Sequence, residues 1–215
     1  MSTATLKLYV DARFISPYAM SAFVALTEKR LPFELLTIDL ARRQHQSPDY
    51  AGVSLTRRVP ALAEGDFHLA ESTAIAEYLE ERYPAPEHQA VYPAGLYDKA
   101  RAREIQAWLR SDLMPLRQER PTEAVFYGEG FAPLSAAARA SADKLVAVAG
   151  KLLEKGRREH LFGQWCIADV DLALMLNRLS MPGDDLPPAL RDYARRQWQR
   201  DAISQWVRQA QAAKA

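Results

Sequence analysis

Residues 84–93, Pro-Ala-Pro-Glu-His-Gln-Ala-Val-Tyr-Pro, place three prolines in ten positions. Proline fixes φ and removes a backbone donor, so neither a helix nor a central strand runs through such a stretch. Strand-like patterns occur only before it, and helical periodicities alone follow it. The expected fold class is therefore α/β plus all-α. A small α/β domain would occupy residues 1–84, a linker 85–93 and an all-helical domain 94–215.

Within the first part, Leu6-Lys-Leu-Tyr-Val10 alternates and is rich in strand formers. Pro17 then suits the first turn of a mostly apolar helix through Phe23, Val24 and Leu26. Leu35–Leu40 is strand-like again, and His45–Tyr50 is irregular or weakly helical around Pro48. Val59-Pro-Ala-Leu62 and Phe67-His-Leu69 flank the turn Glu64-Gly65-Asp66 and predict a hairpin. Ile75, Tyr78 and Leu79 fall at helical spacing in a segment from Ser72 to Tyr83. In the second part, one helix is expected over Leu96–Gln118, with Ile105, Trp108, Leu109 and Leu113 on one face. Others are expected over Ser135–Leu153, Asp169–Leu179, Ala189–Ala202 and Ile203–Ala213. The nearly unbroken apolar character of 169–179 predicts a helix buried all round.

Composition narrows the class of function. The 215 residues carry a net charge of +1, which gives no reason to expect a nucleic-acid or membrane partner. Cys166 is the single cysteine, so no intrachain disulfide can form and a reducing compartment is expected. The N-terminus lacks a basic-then-apolar signal pattern, and no apolar run approaches the ~20 residues that span a bilayer. A cytoplasmic location is the expectation. No metal site is expected, since neither C-x-x-C nor H-E-x-x-H occurs, and Gly128-Glu-Gly130 lacks the rest of a dinucleotide fingerprint. The four histidines show no triad spacing.

Three places in the first part combine. Ser16 stands at a strand-to-helix turn, where serine is by itself a common cap. Val59-Pro60 opens the hairpin, and Glu71-Ser72 opens the following helix, where an acid also suits the helix dipole. Together they bring two helix N-termini to one edge of a small sheet, with an unpaired valine edge between them. Helix N-termini favour anions, and a free strand edge pairs with extended peptide. A ligand with a carboxylate, a peptide backbone and a soft anion would fill that edge, and glutathione is such a molecule.

The segment RVPALAEGDFHLAESTAIAEYLEERYP, residues 58–84, resembles the glutathione-site segment of the cytosolic glutathione S-transferase family. HLFGQWCIADVDLALML, residues 160–176, resembles the buried helix of that family's second domain. The likeness spans essentially the whole chain and is nearest to the serine-type bacterial YfcF-type branch. It implies a thioredoxin-like N-terminal domain, an all-helical C-terminal domain, a homodimer, glutathione as co-substrate, and a cis bond before Pro60. Carried over by position, Ser16 is the catalytic hydroxyl. Val59 pairs its backbone with the cysteinyl part of glutathione, Glu71 faces the ammonium, and the Ser72 N–H faces the carboxylate. His45 matches a histidine that some classes aim at the glycine carboxylate, and on the residues alone it reads as a surface loop residue. Ser16-Pro-Tyr-Ala19 lies where a glutaredoxin-like fold carries Cys-Pro-Tyr-Cys, so glutathione itself must supply the thiol.

Two departures stand out. Ser54-Leu-Thr-Arg-Arg58 replaces the family's Asn-Pro-x-Gly-Lys, and Cys166 replaces the serine or threonine of a capping box closed by Asp169. The second substrate would lie between the domains, with Met114, Arg117, Phe126 and Tyr127 as candidate walls, although an apolar helix stripe also serves as core. The resemblance implies conjugation of glutathione to electrophiles, reduction of organic hydroperoxides, or both. A non-catalytic interaction module and a zeta-type isomerase are the alternatives, the latter without its Ser-Ser-Cys signature.

Overall fold

Leu6, Leu8 and Val10 are buried while Lys7 and Tyr9 are half-exposed, so β1 (Leu6–Asp11) forms on the alternation read from its sequence. The computed structural model describes residues 5–128 and 131–214. Their contacts fall into two units: one runs to Val91 and takes up the chain again from Gln205, and the other is Tyr92–Ser204.

In the first unit, Ser16 caps α1 (Pro17–Glu28), whose residues from Ala19 to Leu26 are all buried. β2 (Phe33–Ile38) pairs parallel to β1, with Leu6 opposite Phe33 and Asp11 opposite Ile38. It ends two residues before the expected Leu40 because Asp39 turns the chain. Its carboxylate accepts the Arg42 N–H at 2.9 Å, and its own N–H donates to Gln44 Oε1 at 2.8 Å. A 3₁₀ turn (Gln44–Gln46) and α2 (Pro48–Val53) follow. β3 (Ala61–Glu64) runs antiparallel to β1 and β4 (Phe67–Ala70) antiparallel to β3, giving the order β2-β1-β3-β4. Gly65 holds φ at 60° in the turn between them, which glycine adopts without a Cβ clash.

This register decides where the loops meet. Tyr9 lies opposite Ala61, and Ala61 opposite Ala70. The exit from β1, the entry to β3 and the exit from β4 therefore share one end of the sheet. α3 (Ser72–Arg82) leaves from there and is fastened to the hairpin by Glu64, which accepts the Tyr78 hydroxyl at 2.5 Å and the Tyr83 hydroxyl at 3.1 Å. At the other ends of the helices, the fully buried Lys29 ammonium donates to the Tyr83 and Gln89 carbonyls at 2.8 and 3.1 Å and pairs with Glu80 at 2.8 Å. Three partners of this kind are what a buried ammonium requires.

The second unit holds α4 (Leu96–Ser111), α5 (Met114–Glu119), α6 (Thr122–Phe126), α7 (Ala136–Leu152), α8 (Ile167–Ser180) and α9 (Pro188–Trp198). The single helix expected over 96–118 is two helices. Leu113 sits at φ 62°, and Asp112 accepts the Leu113 N–H at 2.7 Å and the Trp108 indole N–H at 2.9 Å. Pro115 belongs to the first turn of α5, where its missing donor is harmless. α8 is buried nearly all round, as its sequence requires. Asp169 takes the Cys166 N–H at 2.9 Å, the Leu161 N–H at 2.9 Å and the Tyr193 hydroxyl at 2.7 Å, so its carboxylate ties α8 to α9 and to the loop before it. The last helix, α10 (Asp201–Lys214), crosses the division between the units. From it Trp206, 0% exposed, packs on Phe14 and Phe23 with ring centroids 5.2 and 5.4 Å away. The mixed four-stranded sheet with its helices is the thioredoxin-like α/β domain, and an all-helical domain follows it.

Candidate functional site

The end of the sheet where β1 exits carries Ser16. Its Oγ accepts the Ala19 N–H at 3.2 Å, the usual bond of a serine cap. A hydroxyl that accepts in this way keeps its own proton to donate. The loop beneath it is held by Asp11, 3% exposed, whose two carboxylate oxygens accept the N–H groups of Ile15 at 2.9 Å and Ser16 at 3.0 Å. Burial pushes the Asp11 carboxyl above its ordinary range, and the two backbone bonds oppose that shift.

At the entry to β3, the Val59–Pro60 peptide bond is cis, and Val59 is half-buried. The loop before it is knotted on two side chains. Ser54 Oγ donates to the Arg58 carbonyl at 3.0 Å and accepts the Arg58 N–H at 3.2 Å, and the Tyr50 hydroxyl donates to the same carbonyl at 2.9 Å. Burial pushes the Tyr50 hydroxyl up to about 12, so it remains a donor. Ser54 is thus the closing residue of the 54–58 segment, and Arg57 and Arg58 stay exposed.

At the exit from β4, Glu71 occupies the N-cap of α3 but makes no capping bond with its side chain. Its φ of 71° with ψ of 114° is an uncommon backbone for a residue with a Cβ. Its side chain is exposed, whereas Ser72 begins the helix buried. The N–H groups of a helix's first turn have no intrahelical acceptor, so this terminus faces the sheet end with donors.

His45 lies in the 3₁₀ turn after β2, whose last residue is level with Asp11. Its Nε2 is 3.4 Å from Gln46 Nε2, and its Nδ1 is shielded without a partner among the described residues. The loops carrying Ser16, His45, Val59, Glu71 and Ser72 thus leave one end of one sheet.

Comparison with known proteins identifies the family. Residues 13–87 match the family model of the glutathione S-transferase N-terminal domain, and residues 95–214 that of the C-terminal domain. The chain belongs to the glutathione S-transferase family. A glutathione transferase homolog from Burkholderia, strain BGR1, solved with bound glutathione, is 46% identical, with a TM-score of 0.79 over 97% of this chain and 99% of that one. Maleyl pyruvate isomerase, a bacterial glutathione S-transferase of the zeta class solved in its holo form, is 26% identical with a TM-score of 0.73, over 95% and 97%. Glutathione S-transferase theta-1 of Bos taurus is 37% identical over 132 residues, 60% of this chain. The chain spans about half, 53%, of that relative's length.

Within this glutathione S-transferase chain, the candidate walls for a second substrate lie on the helical unit. Met114 is 48% exposed, and Arg117 donates to the Arg110 carbonyl at 2.8 Å. Phe126, 5% exposed, packs on Trp198 at 6.0 Å, so its ring is part of that unit's core. Tyr127 is half-buried beside it in sequence. The sequence reading assigns no role to Asp11, Tyr50 or Trp206, and names Ser54 only as part of a segment that departs from the family pattern. Only Asp11 left a local signal: a carboxylate closing a strand directly before a cap loop. Among the described residues, no helix is long and apolar enough to cross a membrane.

Proposed function

We propose that this protein is a glutathione transferase that binds glutathione at the sheet end and activates its thiol at Ser16. Ser16 carries the reading: a hydroxyl with a proton to donate, standing at the N-terminus of a twelve-residue helix. Val59 would pair its backbone with the peptide, Glu71 would meet the γ-glutamyl ammonium and Ser72 its carboxylate. His45 is assigned to the glycine carboxylate. The 46% identical Burkholderia homolog, solved with glutathione, supports the choice of ligand.

The chemistry follows from the donor. A hydrogen bond to sulfur stabilises thiolate over thiol and lowers a thiol pKa that starts near ~8.5. The thiolate lone pair attacks an electrophilic carbon, the C–S bond forms, and the leaving group departs with its electron pair. With a hydroperoxide, the thiolate attacks the outer oxygen, the O–O bond breaks, and the alkoxide takes a proton. A second glutathione then converts the sulfenic acid to the disulfide and water. Ser16 donates throughout and is never the nucleophile. Of the candidate walls, Met114, Arg117 and Tyr127 are proposed to meet the second substrate, while Phe126 belongs to the core. A homodimer in the cytoplasm completes the reading, with residues 1–84 as the glutathione-binding domain, 85–93 as linker and 94–215 as the helical domain.

A second reading, glutathione-dependent isomerisation, has the zeta-class neighbour in its favour. Here Pro17-Tyr18 follows Ser16 in place of the Ser-Cys of that class, which favours the transferase. Titrating glutathione near neutral pH while recording the ultraviolet thiolate band tests the proposal. A band should appear with the wild type. Ser16→Ala should bind glutathione with nearly the same affinity but turn over one to two orders of magnitude more slowly, because a hydrogen bond to a charged group contributes about 1.5–3 kcal/mol. Unchanged conjugation and peroxidase rates in that variant would remove Ser16 from the mechanism. No band with the wild type would leave a non-catalytic module.

A further inference from the structure

Three successive amides converge on one residue. The Phe14 N–H donates to the Asp11 carbonyl at 3.0 Å, and those of Ile15 and Ser16 donate to its two carboxylate oxygens. Such a knot fixes the chain between the end of β1 and the start of α1 over five residues. It also takes up donors at the helix mouth. The Ser16 N–H is spent on Asp11, Pro17 has none, and the Ala19 N–H is spent on Ser16 Oγ. At residue 16 itself, the hydroxyl proton is then the donor a ligand sulfur can meet, since the backbone amide is taken by Asp11. We propose that Asp11 is a positioning residue, which sets the pKa of bound glutathione's thiol by clamping the loop that aims Ser16.

Rigidity is what makes this more than a structural tie. A donor lowers a thiol pKa only as far as its O–H stays aligned on the sulfur, and alignment is lost steeply as the angle opens. Asp11 works against its own charge, since a carboxylate near a thiolate raises that thiolate's pKa by repulsion. The two effects have opposite signs, so substitution separates them. Asp11→Asn is isosteric and removes the charge, but it offers an NH₂ to an N–H that needs an acceptor. If charge alone mattered, the thiol pKa would fall in this variant. Clamping predicts that it rises.

The inference rests on the transferase reading, and one titration distinguishes the two. The apparent thiol pKa of bound glutathione is measured from the ultraviolet thiolate band in wild type, Asp11→Asn and Ser16→Ala, with kcat and KM for glutathione. In Asp11→Asn the pKa should rise by roughly one unit, leaving about tenfold less thiolate at a pH below it. Turnover should fall about tenfold, while KM for glutathione changes far less. Should Asp11→Asn leave or lower the pKa while Ser16→Ala raises it, the positioning role is refuted and the transferase reading stands. If the wild type shows no band at all, both fall. A measurement independent of the variant's folding is amide hydrogen exchange in the wild type. The Ile15 and Ser16 amides should exchange slowly, and exchange at the rate of open loop amides would overturn the clamp.

Discussion

Exchanging one atom at residue 16 tests where that side chain stands. Ser16→Cys places a sulfur at the N-terminus of α1, where the helix end lowers a thiol pKa. Its thiolate should attack oxidised glutathione, forming a mixed disulfide and expelling one glutathione thiolate. The wild type's Cys166 is 1% exposed, and burial together with the Asp169 carboxylate pushes its thiol well above the usual range. It should stay unmodified under the same treatment. Intact-mass measurement reads both proteins, and an adduct on the wild type or none on the variant would contradict the placement of Ser16. Asp169 is the other residue whose single side chain holds much. Asp169→Ala would leave two buried N–H groups and the Tyr193 hydroxyl without their acceptor, each worth about 1–3 kcal/mol. A loss of roughly 3–5 kcal/mol is expected in denaturant midpoints, well beyond that of a surface cap at about 1 kcal/mol. A loss no larger than the surface value would mean that the three donors find other partners.

The junction of α4 and α5 depends on Asp112, whose carboxylate accepts from Leu113, Trp108 and Lys144. The Lys144 ammonium first, then the Leu113 and Trp108 N–H groups, hold its pKa down at about 2, below the ordinary 3.8. A depressed carboxylate contributes stability that is fully present above the unfolded value and is lost as pH falls through the folded one. Melting temperature should therefore decline between about pH 4 and pH 2 partly through Asp112, and Asp112→Asn should flatten that limb. An unchanged acid limb in the variant would assign the decline to other carboxylates. This junction also shows what a sequence withholds about elements. Ile105, Leu109 and Leu113 keep helical spacing, so periodicity ran the helix through the break. At the break the Asp112 carboxylate takes the Leu113 N–H, and the same carboxylate pairs with Lys144 of α7, a partner that local sequence does not reveal. The hairpin at Gly65 was legible because turn chemistry is local. The sequence pattern puts β2 two residues late because Leu40 extends its apolar run, while the Asp39 turn beneath it depends on Gln44.

At the scale of the molecule, the proline stretch marked the change from sheet to helices, since φ restriction is written in the residue type itself. The positions of Ser16, Val59 and Glu71-Ser72 on one sheet end were legible too, because strand order and hairpin length dictate which loops meet. The return of residues 205–214 to the first unit was not. Nothing near Trp206 in sequence distinguishes it from any other apolar position on an amphipathic helix, and its partners Phe14 and Phe23 lie 192 and 183 residues earlier. Because Phe14 lies two residues before Ser16, Trp206 packs against the segment that leads to the site, and the far end of the chain is expected to help hold that loop. Trp206→Ala should cost about 3–5 kcal/mol, the range for emptying a large aromatic from a packed core. Trp206→Phe, which keeps one ring against Phe14, should cost less. Hydrogen exchange gives the location: protection should fall in α1 and residues 12–16 together with α10, while α7 and α8 keep theirs. Loss confined to α10 would mean that the β1–α1 loop is fastened by Asp11 alone and does not lean on Trp206.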